Sequence, residues 1–274
     1  MSRPLSQPVT VFADDLLTGQ TALVTGGGTG LGRAIAEALA RAGADLVLAA
    51  RRADVLEEAA DQLRRIGHGV ETAFVDLRDH DSVVALADRF GGVDILVNNA
   101  GGQFPQRARD FSPNGWRSVV DLNLNGTWSM TQAFGDTMLD RGTGVICQIV
   151  MVAGRGFPGL AHSAAARAGV MEMTRTVAFE WGPAVRLNCV APGPISTQGF
   201  DDTYDPSVTA KMSGIPLSRM GTATDVANAV VFLCSPAAGF ITGEVLYVDG
   251  GQNVQGPISA LPRKEFRERY DDER

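Results

Sequence analysis

The chain has 274 residues, 45% of them apolar, and a formal net charge of −7. That is enough apolar material for one large α/β domain. The acidic balance, with no long basic block, speaks against nucleic acid or an anionic membrane as the main partner, although one Arg-lined pocket could still take a small anion.

Residues 1–20 read as a Pro-containing surface lead-in. They lack the basic-then-apolar pattern of a secretory signal, and no run of the chain approaches about 18 apolar residues, so neither secretion nor membrane spanning is expected and the location is cytoplasmic. Strands are expected at 21–25, 45–50, 70–75, 94–98, 144–150, 186–191 and 245–248. Helices are expected at 31–42 and 55–66, ended by Gly43 and Gly67, then at 82–90, 116–138, 163–181 and 226–233. Strands alternating with helices predict a single-domain, Rossmann-type α/β fold over 21–256: a doubly wound parallel sheet with helices on both faces. Its ligand crevice lies beyond the carboxyl ends of the strands. Cys147, Cys189 and Cys234 are too scattered for a metal set or a disulfide framework and read as buried thiols. The last stretch, 257–274, is highly charged and forms either a solvated tail or an arm to another subunit.

Thr25-Gly26-Gly27-Gly28-Thr29-Gly30-Leu31-Gly32 stands between the first strand and the first helix. Side chains at these glycines would hold the backbone away from a pyrophosphate, and the helix offers it free N–H groups and a positive dipole end. The second strand ends Ala49-Ala50-Arg51-Arg52. An acidic residue there would bind the ribose 2′-hydroxyl; a neutral end followed by arginines favours a 2′-phosphate, hence NADP(H) over NAD(H). The alternative is that Arg51 and Arg52 are a solvated lead-in to the second helix.

Taken together, these segments resemble the classical short-chain dehydrogenases/reductases over roughly residues 18–251. The glycine run matches that family's TGxxxGxG, with Gly26, Gly28, Thr29, Gly30 and Leu31 at the phosphates. Asp76-Leu77 matches its adenine contact and Asn98-Asn99-Ala100-Gly101 its NNAG motif. Asn123 matches its structural and catalytic Asn. Pro192-Gly193-Pro194-Ile195-Ser196-Thr197 matches the loop that holds the nicotinamide carboxamide, with Pro192, Gly193, Ile195 and Thr197 placed there. The resemblance implies a small-molecule substrate, no metal, and assembly as a dimer or tetramer through 116–138 and 163–181. The second of these segments carries Val170, Met173, Val177 and Trp181, more apolar surface than one sheet face needs.

The catalytic set departs from that family. Where it carries Tyr and, four residues on, Lys, this chain has Ser163 and Arg167; Val150 or Met151 falls near its catalytic Ser. A serine hydroxyl donates a hydrogen bond but is a poor acid. Arg167 stays charged, so it can bind ribose and steady an oxyanion without relaying a proton. His162 is either a replacement donor or a structural histidine.

The chain is also similar to the 2,4-dienoyl-CoA reductase branch, through the glycine run, Glu180-Trp181-Gly182-Pro183, Ala191-Pro192-Gly193-Pro194-Ile195, Gly199, and Tyr247-Val248-Asp249-Gly250-Gly251. That likeness implies an acyl-CoA or apolar carbonyl substrate. Residues 198–222 are expected to form a lid, with Phe104, Phe157, Phe200 and Met212 lining an apolar pocket or serving in core or subunit contacts. The function expected is NADP(H)-dependent reduction of a carbonyl or a conjugated thioester. Nucleotide binding with little turnover, and lyase or dehydratase chemistry on the same scaffold, are the alternatives.

Overall fold

The computed structural model describes residues 11–152, 156–197, 199 and 215–254. Residues 1–10, most of the expected lid with Phe200 and Met212, and the tail at 257–274 lie outside the described residues.

Seven parallel strands form the central sheet in the order β3-β2-β1-β4-β5-β6-β9. They are β1 (Thr21–Thr25), β2 (Asp45–Ala50), β3 (Val70–Phe74), β4 (Ile95–Asn98), β5 (Gly144–Ile149), β6 (Val185–Pro192) and β9 (Val245–Val248). Two short strands, β7 (Ile195–Ser196) and β8 (Gly221–Thr222), pair apart from it. The helices are α1 (Gly30–Arg41), α2 (Ala53–Leu63), α3 (His80–Phe90), α4 (Pro113–Val120), α5 (Gly126–Arg141), α6 (Ala161–Trp181) and α7 (Ala223–Cys234).

Side chains alternate across a strand, and here both faces are buried. Ala22 and Val24 of β1 pack with Ile35 and Leu39 of α1, Leu56 of α2 and Val226 and Val230 of α7. Leu23, between them, faces the other way, toward Val83 and Leu86 of α3 and Met130, Phe134 and Met138 of α5. Helices thus cover both faces, as the alternation of elements predicts. The sheet reverses direction between β1 and β4. The ends of these two strands are tied there: Thr25 Oγ1 accepts the N–H groups of Asn99 and Ala100 at 3.0 Å each, and Asn99 Nδ2 donates to the Thr25 carbonyl at 2.9 Å.

Several boundaries differ from expectation. α3 begins at His80 because Asp79 caps it, accepting the N–H of Asp81 at 3.1 Å. α7 begins at Ala223 through a capping box between Thr222 and Asp225. The helix expected over 116–138 is broken: α4 and α5 flank a five-residue π turn, Asp121–Asn125, in which Gly126 N–H reaches the Asp121 carbonyl. Val170 and Val177, expected to supply an intersubunit face, are buried within the chain at 0% and 5% exposure. The exposed apolar residues of α5 and α6 are Trp128 and Phe179, which corrects the stated reason for assembly. Among the described residues no helix is long and apolar enough to cross a membrane.

Thr25→Val keeps the shape of the β1 end and removes its acceptor. Losing a partner for part-buried N–H groups costs about 1–3 kcal/mol. The unfolding free energy should fall by that amount, read as a lower denaturation midpoint at an unchanged m-value.

Candidate active site

A cleft of about 670 Å³ opens at the carboxyl ends of β1, β2, β3 and β4. Gly26, Gly28, Thr29, Gly30 and Leu31 form one wall; Arg51, Arg52, Asp76 and Leu77 form the second; Asn99, Ala100, Gly101 and Thr197 close the third. The structure therefore gathers thirteen of the residues singled out in the sequence around one space. Pro192, Gly193, Ile195 and Arg167 do not line it. Pro192 ends β6, and Gly193 lies so close to Asp249 that a Cβ would sit 2.8 Å from Asp249 Cα. Ile195 is buried in β7.

The glycine loop earns its composition sterically. Gly26 and Gly30 have φ of +67° and +51°, the left-handed region that side chains avoid. The start of α1 has no side-chain cap: Thr29 occupies the N-cap position with no side-chain bond to the first turn. Gly30, Leu31 and Gly32 of this uncapped first turn line the cleft, and an open helix start of this kind is how a helix receives a phosphate. Arg51 and Arg52 are exposed on the cleft rim, and among the described residues neither makes an ion pair. A dinucleotide fits this combination of open helix end, glycine cradle and rim cations.

Asn123 and Arg167 meet next to Gly101. Asn123, in the π turn, clamps the loop after β4 by two bonds: its Oδ1 accepts from Gly102 N–H at 3.0 Å and its Nδ2 donates to the Gly102 carbonyl at 2.9 Å. Arg167 donates through Nη1 to the Ile149 carbonyl at 2.8 Å. Its guanidinium lies against Gly101, where a Cβ would run into it and would stand 2.9 Å from Asn123 Oδ1. Burial lowers the Arg167 pKa to about 10, so it remains a cation near neutrality. It has no carboxylate partner among the described residues.

Ser163 is wholly buried, and its hydroxyl donates to Gln103 Oε1 at 2.6 Å, with Met151 Sδ at 3.7 Å on another side. Met151, rather than Val150, thus stands beside Ser163; Val150 packs in the core with Val170 and Cys189. Gln103 is the residue the sequence reading missed. Its only signal was its place directly after Asn99-Ala100-Gly101-Gly102, because its contact with Ser163 spans 60 positions. His162 lies against Phe104 and Phe111, so Phe104 contacts this histidine. The three cysteines are buried and free.

A family model described as enoyl-(acyl carrier protein) reductase matches residues 25–253. The peroxisomal 2,4-dienoyl-CoA reductase of Danio rerio is 38% identical over 251 residues, covering 88% of this chain and 84% of that protein. A solved short-chain dehydrogenase/reductase family protein superposes with a TM-score of 0.82 at 40% identity, over 88% of this chain and 100% of the other. A 7α-hydroxysteroid dehydrogenase solved with NADH and 7-oxo glycochenodeoxycholic acid gives 0.83 at 34% identity, over 87% and 96%.

Gly101→Ala tests the packing of this corner. The added methyl must displace the Arg167 guanidinium or the Asn123 amide, and overpacking of this kind costs about 1–3 kcal/mol. A thermal or denaturant transition should show that loss, and titration should show weaker dinucleotide binding.

Proposed function

The chain belongs to the short-chain dehydrogenase/reductase family, and on that premise we propose that it is an NADP(H)-dependent oxidoreductase that reduces a conjugated enoyl- or dienoyl-CoA thioester. The family carries oxidoreductases that bind NAD(P), and several relatives act on CoA thioesters or carbonyl compounds. The observation that carries the finer reading is the pairing of two ends. An uncapped helix N-terminus with free rim arginines stands at one end of the cleft, and a buried guanidinium without a counter-charge stands behind Gly101 at the other.

Bound in the cleft, the dinucleotide supplies hydride. The glycine cradle and the first turn of α1 hold the pyrophosphate, and Asp76 and Leu77 flank the adenine. Arg51 and Arg52 pair with the 2′-phosphate, while Asn99, Ala100, Pro192, Gly193, Ile195 and Thr197 frame the path to the nicotinamide. Arg167 binds ribose and steadies negative charge as it gathers on the thioester oxygen. Asn123 fixes Gly101 and Gly102 so that this guanidinium keeps its place. When substrate binds, Ser163 turns the hydroxyl proton that it otherwise gives to Gln103 Oε1 toward the substrate oxygen, and the Gln103 amide holds that oxygen beside it. Neither is an acid near neutrality, so the proton that completes the reduction comes from water. That division suits a conjugated thioester, whose charge spreads into the acyl system, better than a simple ketone, whose alkoxide demands a proton at once.

Phe104, held at the edge of this corner, and Phe157 suit an apolar acyl group. A cytoplasmic homotetramer, with a dimer as the smaller possibility, is the assembly proposed, with Trp128 and Phe179 the candidate contacts.

NADPH should bind more tightly than NADH in fluorescence titrations, and Ala50→Asp combined with Arg51→Ala should reverse the order. Equal affinities in the parent would remove the role of the rim arginines.

The reaction is tested with NADPH and a panel of 2,4-dienoyl-CoA, enoyl-CoA and ketone substrates. Turnover of the dienoyl thioester is expected. Loss of one oxyanion donor costs about 10²–10³ in turnover, so Ser163→Ala should slow the reaction by that order while leaving nucleotide affinity nearly unchanged. Tight NADPH binding with no turnover across the panel would instead favour a nucleotide-binding protein without catalysis.

A further inference from the structure

His162 is the second residue of α6 and has no exposed surface. Its Nδ1 accepts the backbone N–H of Ser163 at 2.7 Å. An accepting Nδ1 carries no proton, so the ring is neutral and its hydrogen sits on Nε2. Nε2 is itself buried without a hydrogen-bond partner. The ring lies edge-on to Phe104, with centroids 4.8 Å apart, and tilted on Phe111 at 4.4 Å. Phe104 directly follows Gln103, and Ser163 directly follows His162, so two neighbouring contacts bridge the same pair of segments. A third joins them nearby, where Gln106 N–H donates to the Gly159 carbonyl at 2.9 Å.

An apolar ring would pack between two phenylalanines as well as this one and without an orphaned donor, whose burial costs about 1–3 kcal/mol. The imidazole adds one thing: it fixes the first-turn N–H of the residue whose hydroxyl holds Gln103. We propose that His162 is a positioning residue that sets the Ser163–Gln103 pair, and that it does so only as the neutral ring protonated at Nε2, so that acidification releases the pair. This deepens the reading above and rests on Ser163 and Gln103 as the groups that hold the substrate oxygen.

A second proton, on Nδ1, would confront the Ser163 N–H and destroy the bond. It would also place a positive charge in the first turn of a 21-residue helix, the unfavourable end of its dipole. Among the described residues no carboxylate pairs with the ring. On the loop packed against it, Arg107 pairs with Asp110 at 2.5 Å, Arg109 lies 3.8 Å from the same carboxylate, and both arginines are turned to solvent. Arg117 of α4 is exposed, and Arg167, the next charge along α6, is bonded to Ile149. Burial correspondingly lowers the His162 pKa from 6.5, against a smaller upward pull from the Leu160 backbone, whose carbonyl would accept a hydrogen bond from the charged ring. Because the unfolded ring gains its proton first, this site's contribution to stability is complete above pH 6.5 and is lost as pH falls below it.

The test uses the full-length protein and begins without substrate. Ring-nitrogen NMR of the three histidines, with His162 assigned by its loss in the His162→Phe variant, should show the Nε2–H tautomer and a midpoint of protonation below pH 6.5. The Gln103 side-chain amide signals should shift in His162→Phe, which keeps the ring packing, and should return in His162→Asn, whose Oδ1 replaces the Nδ1 acceptor. An Nδ1–H tautomer, titration at or above 6.5, or unmoved Gln103 signals in His162→Phe would overturn the proposal, whatever the reaction proves to be. With NADPH and 2,4-hexadienoyl-CoA as probe, kcat should drop about three- to tenfold in His162→Phe, the range of one net hydrogen bond, with NADPH affinity unchanged. The parent should lose kcat on the acid side, and the Phe variant should lack that limb. If hexadienoyl-CoA is not turned over, the reading of the reaction fails while the tautomer and Gln103 signals still decide the role of His162. If it is turned over with an identical acid limb in both proteins, the positioning role is refuted and the reaction stands.

Discussion

The corner where chemistry would occur depends on one side-chain amide. Asn123 gives and receives a hydrogen bond with the same residue, Gly102, and so fixes both position and rotation of the loop after β4. Gly101 on one side then lies flat against Arg167, and Gln103 on the other reaches Ser163. A buried polar line runs from the main chain of the same residue into the core: Thr127 donates to the Asn123 main-chain carbonyl at 2.9 Å, Thr131 to the Thr127 carbonyl at 2.7 Å, and Asn98 and Gln148 both donate to Thr131 Oγ1. Buried bonds of this kind reinforce one another, and leaving one unmade is costly. The π turn lets α4 and α5 run on either side while Asn123 is presented to Gly102.

Replacing lysine by arginine beside that amide changes the electrostatics rather than merely the shape. An ammonium can surrender its proton when buried; a guanidinium holds its own even with its pKa lowered to about 10. The packing behind Gly101 therefore carries a fixed positive charge over the physiological range. Such a charge is expensive to bury alone, and its acceptor among the described residues, the Ile149 carbonyl, is neutral. A bound anion, or an oxygen acquiring charge, would relieve that cost.

Most of the fold was legible because buried parallel strands and amphipathic helices have unmistakable periods. β1 and β2 fall where the apolar runs put them, and Gly43 and Gly67, with φ of +101° and +105°, close their helices as left-handed residues should. The gathering of the glycine loop, Arg51, Arg52, Asp76 and Asn99 around one cleft was legible for a related reason: each of these segments directly follows a strand of the parallel sheet. What escaped depends on distant contacts. Asp121-Leu122-Asn123-Leu124-Asn125 keeps a helical apolar pattern, and the turn that widens there answers to Gly102, 21 positions earlier. The expected starts at Ser82 and Val226 fall two and three residues late, although Asp79 and Thr222 announce these helices as caps. Val170 and Val177 were counted as surplus because the sequence does not say how deep α6 sits against the sheet.

The reversal of strand order between β1 and β4 has a further consequence. β1, β2 and β3 present the glycine cradle, the rim arginines and Asp76, while β4 and β5 lead to Gln103, Ser163 and Arg167. The two groups occupy opposite wings of one sheet and meet at the knot formed by Thr25 and Asn99. Substitutions in well-separated groups without shared partners add to within about 0.3–0.5 kcal/mol. Cofactor choice and substrate chemistry are therefore nearly independent variables in this architecture, and selection can retune one wing while the other stays as it is.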